Sequence, residues 1–302
     1  MISKPSPRVT IGISFYNNEK TLFDSIRSVF AQTYSDWEII LVNDGSTDNS
    51  TNIVERINDP RIRVVNHGER RGLSHRLNEI AQLARGKYLA RMDADDLMHP
   101  DRIEIQWNYL EKNSEIDLVG TATFIIDDQL NVIGKRGESF GSTSADEVLR
   151  RRTLFVHPTV FGRAEWFRKN PYLEERWCSR AQDYELWIRT CQSLDNRFGH
   201  ISTPLLYYRE SGNFNYKRYR ESMRCCRTIV KKYGPKLIGR LAANTLRIRF
   251  VIQEALYGLA SLFRIEGKLL NKRNQKVNLD EYNKAIIGIK TIMACHVQGF
   301  KQ

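Results

Sequence analysis

The 302-residue sequence contains no uninterrupted apolar run of the ~18 residues that a membrane span requires. Its first residues, Met1-Ile2-Ser3-Lys4-Pro5-Ser6-Pro7, lack the apolar core of a secretory leader. Both absences point to an intracellular chain. Cysteine is scarce, with 5 residues at Cys178, Cys191, Cys225, Cys226 and Cys295. None forms a C-x-x-C pair or stands at zinc spacing from a histidine. Free thiols in a reducing compartment are expected, without a disulfide frame or zinc site. There is no G-x-G-x-x-G after a strand, no P-loop, no G-x-S-x-G and no H-E-x-x-H. The dinucleotide, P-loop, hydrolase and zinc-protease motifs are therefore missing. No internal repeat or low-complexity segment interrupts the chain.

What remains is the composition of an ordinary soluble protein, 41% hydrophobic and 27% charged. The length allows a catalytic domain with a full core and an appendage. The net charge of +12 is unevenly placed: from Tyr216 onward 19 Lys and Arg stand against 5 Asp and Glu, leaving 28 against 30 before it. This shift predicts a boundary near Asn213–Lys217, with a catalytic domain over 1–215 and a basic helical region over 216–302.

Short apolar, β-branched runs at Val9–Phe15, Trp37–Val42, Arg61–Val65 and Tyr88–Met92 predict four strands. Helical patterns separate them: Leu22, Ile26, Val29 and Phe30; then Asp48–Ile57; then Gly72–Ala84, with Leu73, Leu77, Ile80 and Leu83 on one face. Such alternation predicts a parallel sheet covered on both faces. In these sheets ligands bind beyond the carboxyl ends of the strands. The polar clusters at 16–19, 43–48 and 93–96 fall at those ends. Further on, helices are expected at Pro100–Lys112, Ser144–Arg151 and Gln182–Ser193, and strands at Ile116–Ile126, Thr159–Gly162 and Ile201–Tyr208.

Arg91-Met92-Asp93-Ala94-Asp95-Asp96 is the most informative string. Three carboxylates at a strand end repel one another and persist only when solvated or bound to a cation. The D-x-D spacing puts Asp93 and Asp95 on one side of an extended segment. Mg²⁺ and Mn²⁺ take such oxygen ligands together with substrate phosphates. The bland alternative is an acidic turn that caps the helix at Pro100.

Several strings in fixed order resemble family 2 glycosyltransferases of the GT-A fold. They are Leu83–Asp96; Val9–Asn17; Ser28-Val29-Phe30-Ala31-Gln32-Thr33-Tyr34; Trp37–Asp48; Gly72-Leu73-Ser74 with Arg76-Leu77-Asn78; His157-Pro158-Thr159-Val160; and Gln182-Asp183-Tyr184-Glu185-Leu186-Trp187. The resemblance covers roughly residues 8–210. It implies a mixed, mainly parallel α/β sheet with helices on both faces, followed by a C-terminal helical extension. It also implies metal-dependent, inverting transfer from a UDP- or dTDP-sugar to an acceptor hydroxyl, in bacterial surface polysaccharide or lipopolysaccharide assembly.

By the same resemblance, Asp44 would accept the N3–H of the base, a fitting carboxylate partner. Ser14, Tyr16 and Glu19 would line that pocket. Asp93 would meet the ribose or the metal's water shell, and Asp95 would ligate Mn²⁺ or Mg²⁺. Asp96 would orient the loop or cap the next helix, and Arg76 would face the diphosphate or the donor sugar. His157 would sit near the metal or the diphosphate. Asp183 would be the general base, taking the acceptor proton as its oxygen attacks. The sequence departs from the family twice. Ser14-Phe15 stand where Pro-Thr or Pro-Ala is frequent, and Gln182-Asp183 where Glu-Asp is usual. The bland alternatives are an Asx-turn at Asn43-Asp44, an N-cap role for Asp183, and core or surface roles for Tyr16, Arg76 and His157. Trp177, in a charged stretch, could stack on an acceptor sugar.

The tail interleaves Lys and Arg with apolar residues, as in Leu246-Arg247-Ile248-Arg249-Phe250-Val251-Ile252. This suits an anionic membrane surface, and a lipid-linked glycan acceptor would match that place, at the cytoplasmic face of the cell membrane. Packing on the catalytic domain or homo-oligomerisation is the alternative; no nucleic-acid module is present. Two other functions stay open at this point. A nucleotidyltransferase would carry a Gly-rich loop with Arg or Lys near its N-terminus, which is absent. A non-catalytic sugar-nucleotide binder would keep the pocket without turnover.

Overall fold

A computed structural model describes residues 7–137, 143–193, 197–210, 215–263 and 273–299. The expected boundary at Asn213–Lys217 lies partly outside them. Among the described residues the strands are β1 (Val9–Phe15), β2 (Trp37–Asn43), β3 (Ile62–Asn66), β4 (Tyr88–Asp93), β5 (Leu97–Met98), β6 (Leu118–Ile126), β7 (Val132–Arg136), β8 (Phe161–Arg163) and β9 (Phe198–Arg209). They form one sheet in the order β3-β2-β1-β4-β8-β6-β9-β5, with β7 on β6. The long ladders β1–β2, β1–β4, β2–β3 and β6–β9 are parallel. The short ones, β4–β8, β6–β8, β6–β7 and β5–β9, are antiparallel. The sheet is thus mixed and mainly parallel, as the resemblance implied.

Two-residue periodicity assigns the faces. Val9, Ile11, Ile13 and Phe15 of β1, with Trp37, Ile39 and Leu41 of β2, pack with α1 (Leu22–Phe30), α2 (Ser50–Glu55) and α4 (Arg102–Lys112). Ile40 and Val42 point the other way, toward α3 (Leu73–Leu83), α5 (Ala145–Arg151), α6 (Ala164–Lys169) and α7 (Gln182–Thr190). Gly12 lets α3 lie close: a Cβ there would stand 2.3 Å from Ile80 Cγ2.

The tail contains α8 (Tyr216–Leu237), α9 (Arg240–Leu262) and α10 (Leu279–Ala294). Met223, Cys226, Ile229 and Val230 of α8 enter the same core as Trp187. Ala285, Ile289 and Ile292 of α10 pack with Leu97, Phe124 and Tyr207. No helix among the described residues is long and apolar enough to cross a membrane. All five cysteines are free.

Boundaries depart from the sequence pattern where side chains intercede. Helix α2 starts at Ser50, because Asp48 accepts from the Ser50 and Glu19 amides and serves as a loop brace. Helix α4 starts at Arg102, with Asp101 before it. The strand expected from Thr159 begins at Phe161; His157–Thr159 is a 3₁₀ turn in which Thr159 Oγ1 donates to the Val156 carbonyl. Strands β5 and β7 and helix α6 are too short or irregular to leave a periodic signal.

A buried polar network joins the parallel and antiparallel parts of the sheet. Arg102 is fully buried; its Nε donates to Gln106 Oε1 (2.8 Å) and its Nη2 to the Arg91 carbonyl (2.9 Å). Gln106 Nε2 donates to the carbonyls of Val119 and Thr159. Burial, helped by nearby Arg91, lowers the Arg102 guanidinium to about 9. Replacing Gln106 by Leu keeps the volume and strands these partners. It should cost about 3 kcal/mol, since each orphaned buried polar group costs about 1–3 kcal/mol. Urea unfolding would register this as a lower midpoint at unchanged slope; an unchanged midpoint would refute the role given to the network.

Candidate active site

The carboxyl ends of β1, β2 and β4 lie side by side. Phe15 pairs with Asn43, and Ser14 with both Val42 and Asp93. The loops after β1 and β2 are laced together. Asn17 accepts from the Thr47 amide, its own amide donates to Ser46 Oγ, and Glu19 accepts from the Asn49 amide. Asn17 adopts φ 54°, a left-handed conformation that asparagine tolerates well. Asn43, not Asp44, makes the Asx-turn, accepting from the Ser46 amide at 2.8 Å.

Asp44 faces the cleft with its carboxylate already held. Oδ1 accepts from the Arg71 amide (2.8 Å), the Gly72 amide (2.9 Å) and Arg76 Nε (3.0 Å); Oδ2 takes the Gly72 amide at 3.1 Å. Gly72, at φ 89°, turns the chain into α3 and brings these amides round. Arg76 is buried, and it also donates to Glu79 and to the Glu69 carbonyl. It was expected to face a diphosphate; instead its guanidinium is consumed in fixing Asp44. Glu19 likewise braces the loops and does not line the cleft.

The cleft itself has a volume of about 480 Å³ and includes Ser14, Tyr16, Asp44, Arg70, Arg180 and Gln182 in its lining. The Arg70 guanidinium lies over the Tyr16 ring at 4.0 Å, a stacking arrangement that leaves the residue's charge on the cleft wall. Arg70, Arg71 and Arg180 were not singled out from the sequence. Isolated arginines in loops carry no pattern that separates them from solvated ones.

At the end of β4, Asp93, Asp95 and Asp96 place carboxylate oxygens within 4.8 Å of one another. Buried Arg91 holds Asp93 through both oxygens, at 3.0 and 2.5 Å. Arg91 and Asp93 are two apart on one strand and so share a face; that signal was legible in the sequence. Asp96 Oδ1 accepts from the Arg209 amide at 2.9 Å, and Arg209 Nε donates to the Asp95 carbonyl at 2.8 Å. Asp96 therefore orients the turn and does not cap α4. Its Oδ2 is buried without a partner among the described residues. Burial, then Asp93, pushes the Asp95 carboxyl up to about 6. Burial and both neighbours push Asp96 well above the usual range. Asp95 has an exposed side chain, yet it stands in a protein-crowded recess, where its charge is poorly solvated. An all-oxygen set with an orphaned buried oxygen and mutually repelling charges fits a hard divalent cation.

His157 is not in this cluster. It was expected near a metal, but its Nε2 shares a 2.8 Å hydrogen bond with the Tyr172 hydroxyl, and its ring meets Trp187 edge-on. Burial, with Arg91 nearby, pulls its pKa well below the usual value, so it is neutral. Tyr172, unpredicted from the sequence, feels Arg91, Asp183 and Asp93 together, which puts all four in one neighbourhood.

Asp183 lies in the first turn of α7, whose N-cap is Ala181. Burial raises its carboxyl above the usual range, opposed by the Tyr184 amide, Arg91 and Arg152. A carboxylate with raised basicity beside a cleft is suited to accepting a proton. Next to it, Gln182 is 8% exposed and its Oε1 has no partner among the described residues.

Known proteins supply the remaining context. EpsE of Bacillus subtilis is 34% identical over 188 residues, covering 61% of this chain and 66% of EpsE. The O-antigen biosynthesis glycosyltransferase WbnJ of Escherichia coli is 29% identical over 210 residues, covering 67% of this chain and 79% of WbnJ. Among solved structures, S. aureus TarS 1-349 in complex with UDP has TM-score 0.58 at 18% identity, covering 95% of this chain and 80% of that one. The mannosyltransferase PcManGT from Pyrobaculum calidifontis, in complex with GDP-Man and Mn²⁺, has TM-score 0.58 at 17% identity, covering 97% and 90%. These two share the fold. Residues 10–173 match the family described as Glycosyl transferase family 2. The cleft at the strand ends is thus the candidate active site of a glycosyltransferase, and the chain belongs to glycosyl transferase family 2.

Proposed function

We propose that the protein transfers a sugar, with inversion, from a UDP- or dTDP-sugar to an acceptor hydroxyl in surface polysaccharide or lipopolysaccharide assembly. The single observation that carries this reading is the convergence of Asp44, the Asp93–Asp96 cluster and Asp183 on neighbouring strand and helix ends. The UDP complex of TarS and the O-antigen assignment of WbnJ support donor and setting. In this scheme Ser14, Tyr16 and Asp44 hold the nucleoside, with Arg70 stacked on Tyr16. The Asp44 carboxylate, pinned by the Arg71 and Gly72 amides, presents its remaining lone pairs to the base N3–H. Asp93, Asp95 and Asp96 would hold Mn²⁺ or Mg²⁺, which offsets the charge of the departing diphosphate. Asp183 takes the proton from the acceptor hydroxyl as that oxygen bonds to the anomeric carbon and the bond to the nucleotide breaks. Residues 1–215 form the catalytic unit in this reading, and α8 completes its core.

Helix α9 favours membrane attachment as a second element. Leu241, Ile248, Val251, Ile252, Leu256, Leu259 and Leu262 are exposed, and at 100° per residue they share an arc of about 140°, roughly 30 Å long. Arg240, Arg247 and Arg249 flank it, the arrangement of a helix lying on an anionic bilayer.

Four outcomes test these readings. Asp183→Asn should lower transfer by about 10²–10⁴-fold while UDP still binds in calorimetry; near-normal turnover would exclude Asp183 as the base. Mn²⁺ should raise the melting temperature at about pH 7.5 and hardly at about pH 5, because the raised Asp95 carboxyl is protonated below its pKa. The same raised pKa makes the metal-free protein lose stability as pH rises through about 6. Asp95→Asn should therefore raise the metal-free melting temperature at neutral pH, by about 2–4 °C for each kcal/mol relieved, and abolish the Mn²⁺ response; a persisting response would remove Asp95 from the ligand set. Finally, full-length protein should float with vesicles containing phosphatidylglycerol, and Ile252→Asp/Leu256→Asp should not. Equal flotation would sink the membrane reading, and a dimer lost in the variant would assign the face to a second copy.

A further inference from the structure

A second cleft, of about 610 Å³, lies between the 176–180 segment and α8. It shares Ser179 and Arg180 with the first cleft, so the two adjoin at these residues. Its walls carry Arg176 and Arg180 on one side and Arg224 on the other, against a single carboxylate, Glu221. Arg180 meets Glu221 at 3.5 Å with both side chains nearly half exposed. Arg176 and Arg224 are exposed and make no ion pair among the described residues. Trp177 lines the same cleft, with Lys232 Nζ 4.5 Å from its ring centre. An aromatic face beside guanidinium groups on two walls suits a sugar ring carrying an anion. Guanidinium groups from two walls of one cleft can meet the several oxygens of a phosphate from different sides, which the two coplanar oxygens of a carboxylate do not require.

Beyond Arg180, Gln182 lines the first cleft, and Asp183 follows it in the first turn of α7. The Gln182 Oε1, buried and unpartnered, is an acceptor available to a hydroxyl donor, since a buried amide oxygen left empty is costly. We propose that the second cleft is an acceptor subsite for a phosphate-bearing sugar, with Arg176 and Arg224 holding the phosphate and Trp177 stacking on the ring. This assignment rests on the reading that the first cleft takes the nucleotide-sugar.

Trp177 supplies the test. Full-length protein in metal-free buffer is titrated with glucose 6-phosphate, glucuronate and glucose while tryptophan fluorescence is followed. Trp177→Phe identifies the signal. Glucose 6-phosphate should give a saturable change with at least about tenfold higher affinity than glucose. Arg176→Gln/Arg224→Gln should weaken it by about tenfold or more. No saturable change, equal affinity for glucose, or affinity that survives the double substitution would overturn the subsite. Glucuronate binding as tightly as glucose 6-phosphate would overturn the phosphate assignment. UDP titrated into the same preparations after addition of Mn²⁺ reports the first cleft separately. Failure of UDP to bind would remove the donor reading without altering the glucose 6-phosphate result, and the reverse pattern would remove only the subsite.

Discussion

Three carboxylates forced together at the end of β4 are the constraint around which the site is arranged. Left alone, Asp93, Asp95 and Asp96 would spread apart, because like charges in a poorly solvated recess raise one another's proton affinity. The chain opposes this from two sides. Arg91 clamps Asp93 from the strand itself, and the end of β9 ties down the turn through Arg209. Neither arrangement neutralises Asp95, and Asp96 keeps one oxygen without a partner among the described residues. The fold therefore holds an unfinished electrostatic cluster in place. That is a cost without purpose in a scaffold, and a preorganised one in an enzyme that handles diphosphates.

Much of the rest serves to keep neighbouring parts from yielding to that cluster. The Arg102–Gln106 network runs from the Arg91 carbonyl to the Val119 and Thr159 carbonyls. It thus fixes β4 against the segment that carries His157. Arg76 performs the same service for Asp44, where one buried guanidinium and two amides set the direction of a carboxylate. In both places a charged side chain acts on the cleft without entering it. Electrostatic order is built one layer back, where packing can enforce it.

That layering explains what was legible in the sequence. The alternation of β1, β2, β3 and β4 with helices was read correctly, because apolar periodicity is a local property. The D-x-D string, Asp44 and Asp183 stood out because their spacing and order form a pattern. Arg76 was placed on the right helix but given the wrong partner, since sequence spacing does not tell whether a guanidinium points into a cleft or under it. His157 was assigned toward the metal, and its ring nitrogen instead meets Tyr172, a residue with no motif around it. Arg70, Arg180 and Arg209 come from loops and a strand end. Their roles exist only after distant segments meet. The short β5 and β7 escaped for the related reason that two to five residues cannot display a period, whereas β8, expected over Thr159–Gly162, begins two residues later.

The position of β8 in the sheet carries a consequence for how the chain is made. The first four strands emerge early and form the order β3-β2-β1-β4, which leaves β4 as an edge. Its covering strand, β8, arrives only at Phe161–Arg163 and brings β6 and β9 alongside. Until the ribosome has released about seventy residues beyond β4, the edge that β8 later covers at Tyr88–Ala90 is open to pairing with another nascent chain. The charges at 93–96, which follow this edge in the chain, disfavour such association, as charged residues flanking an apolar strand do.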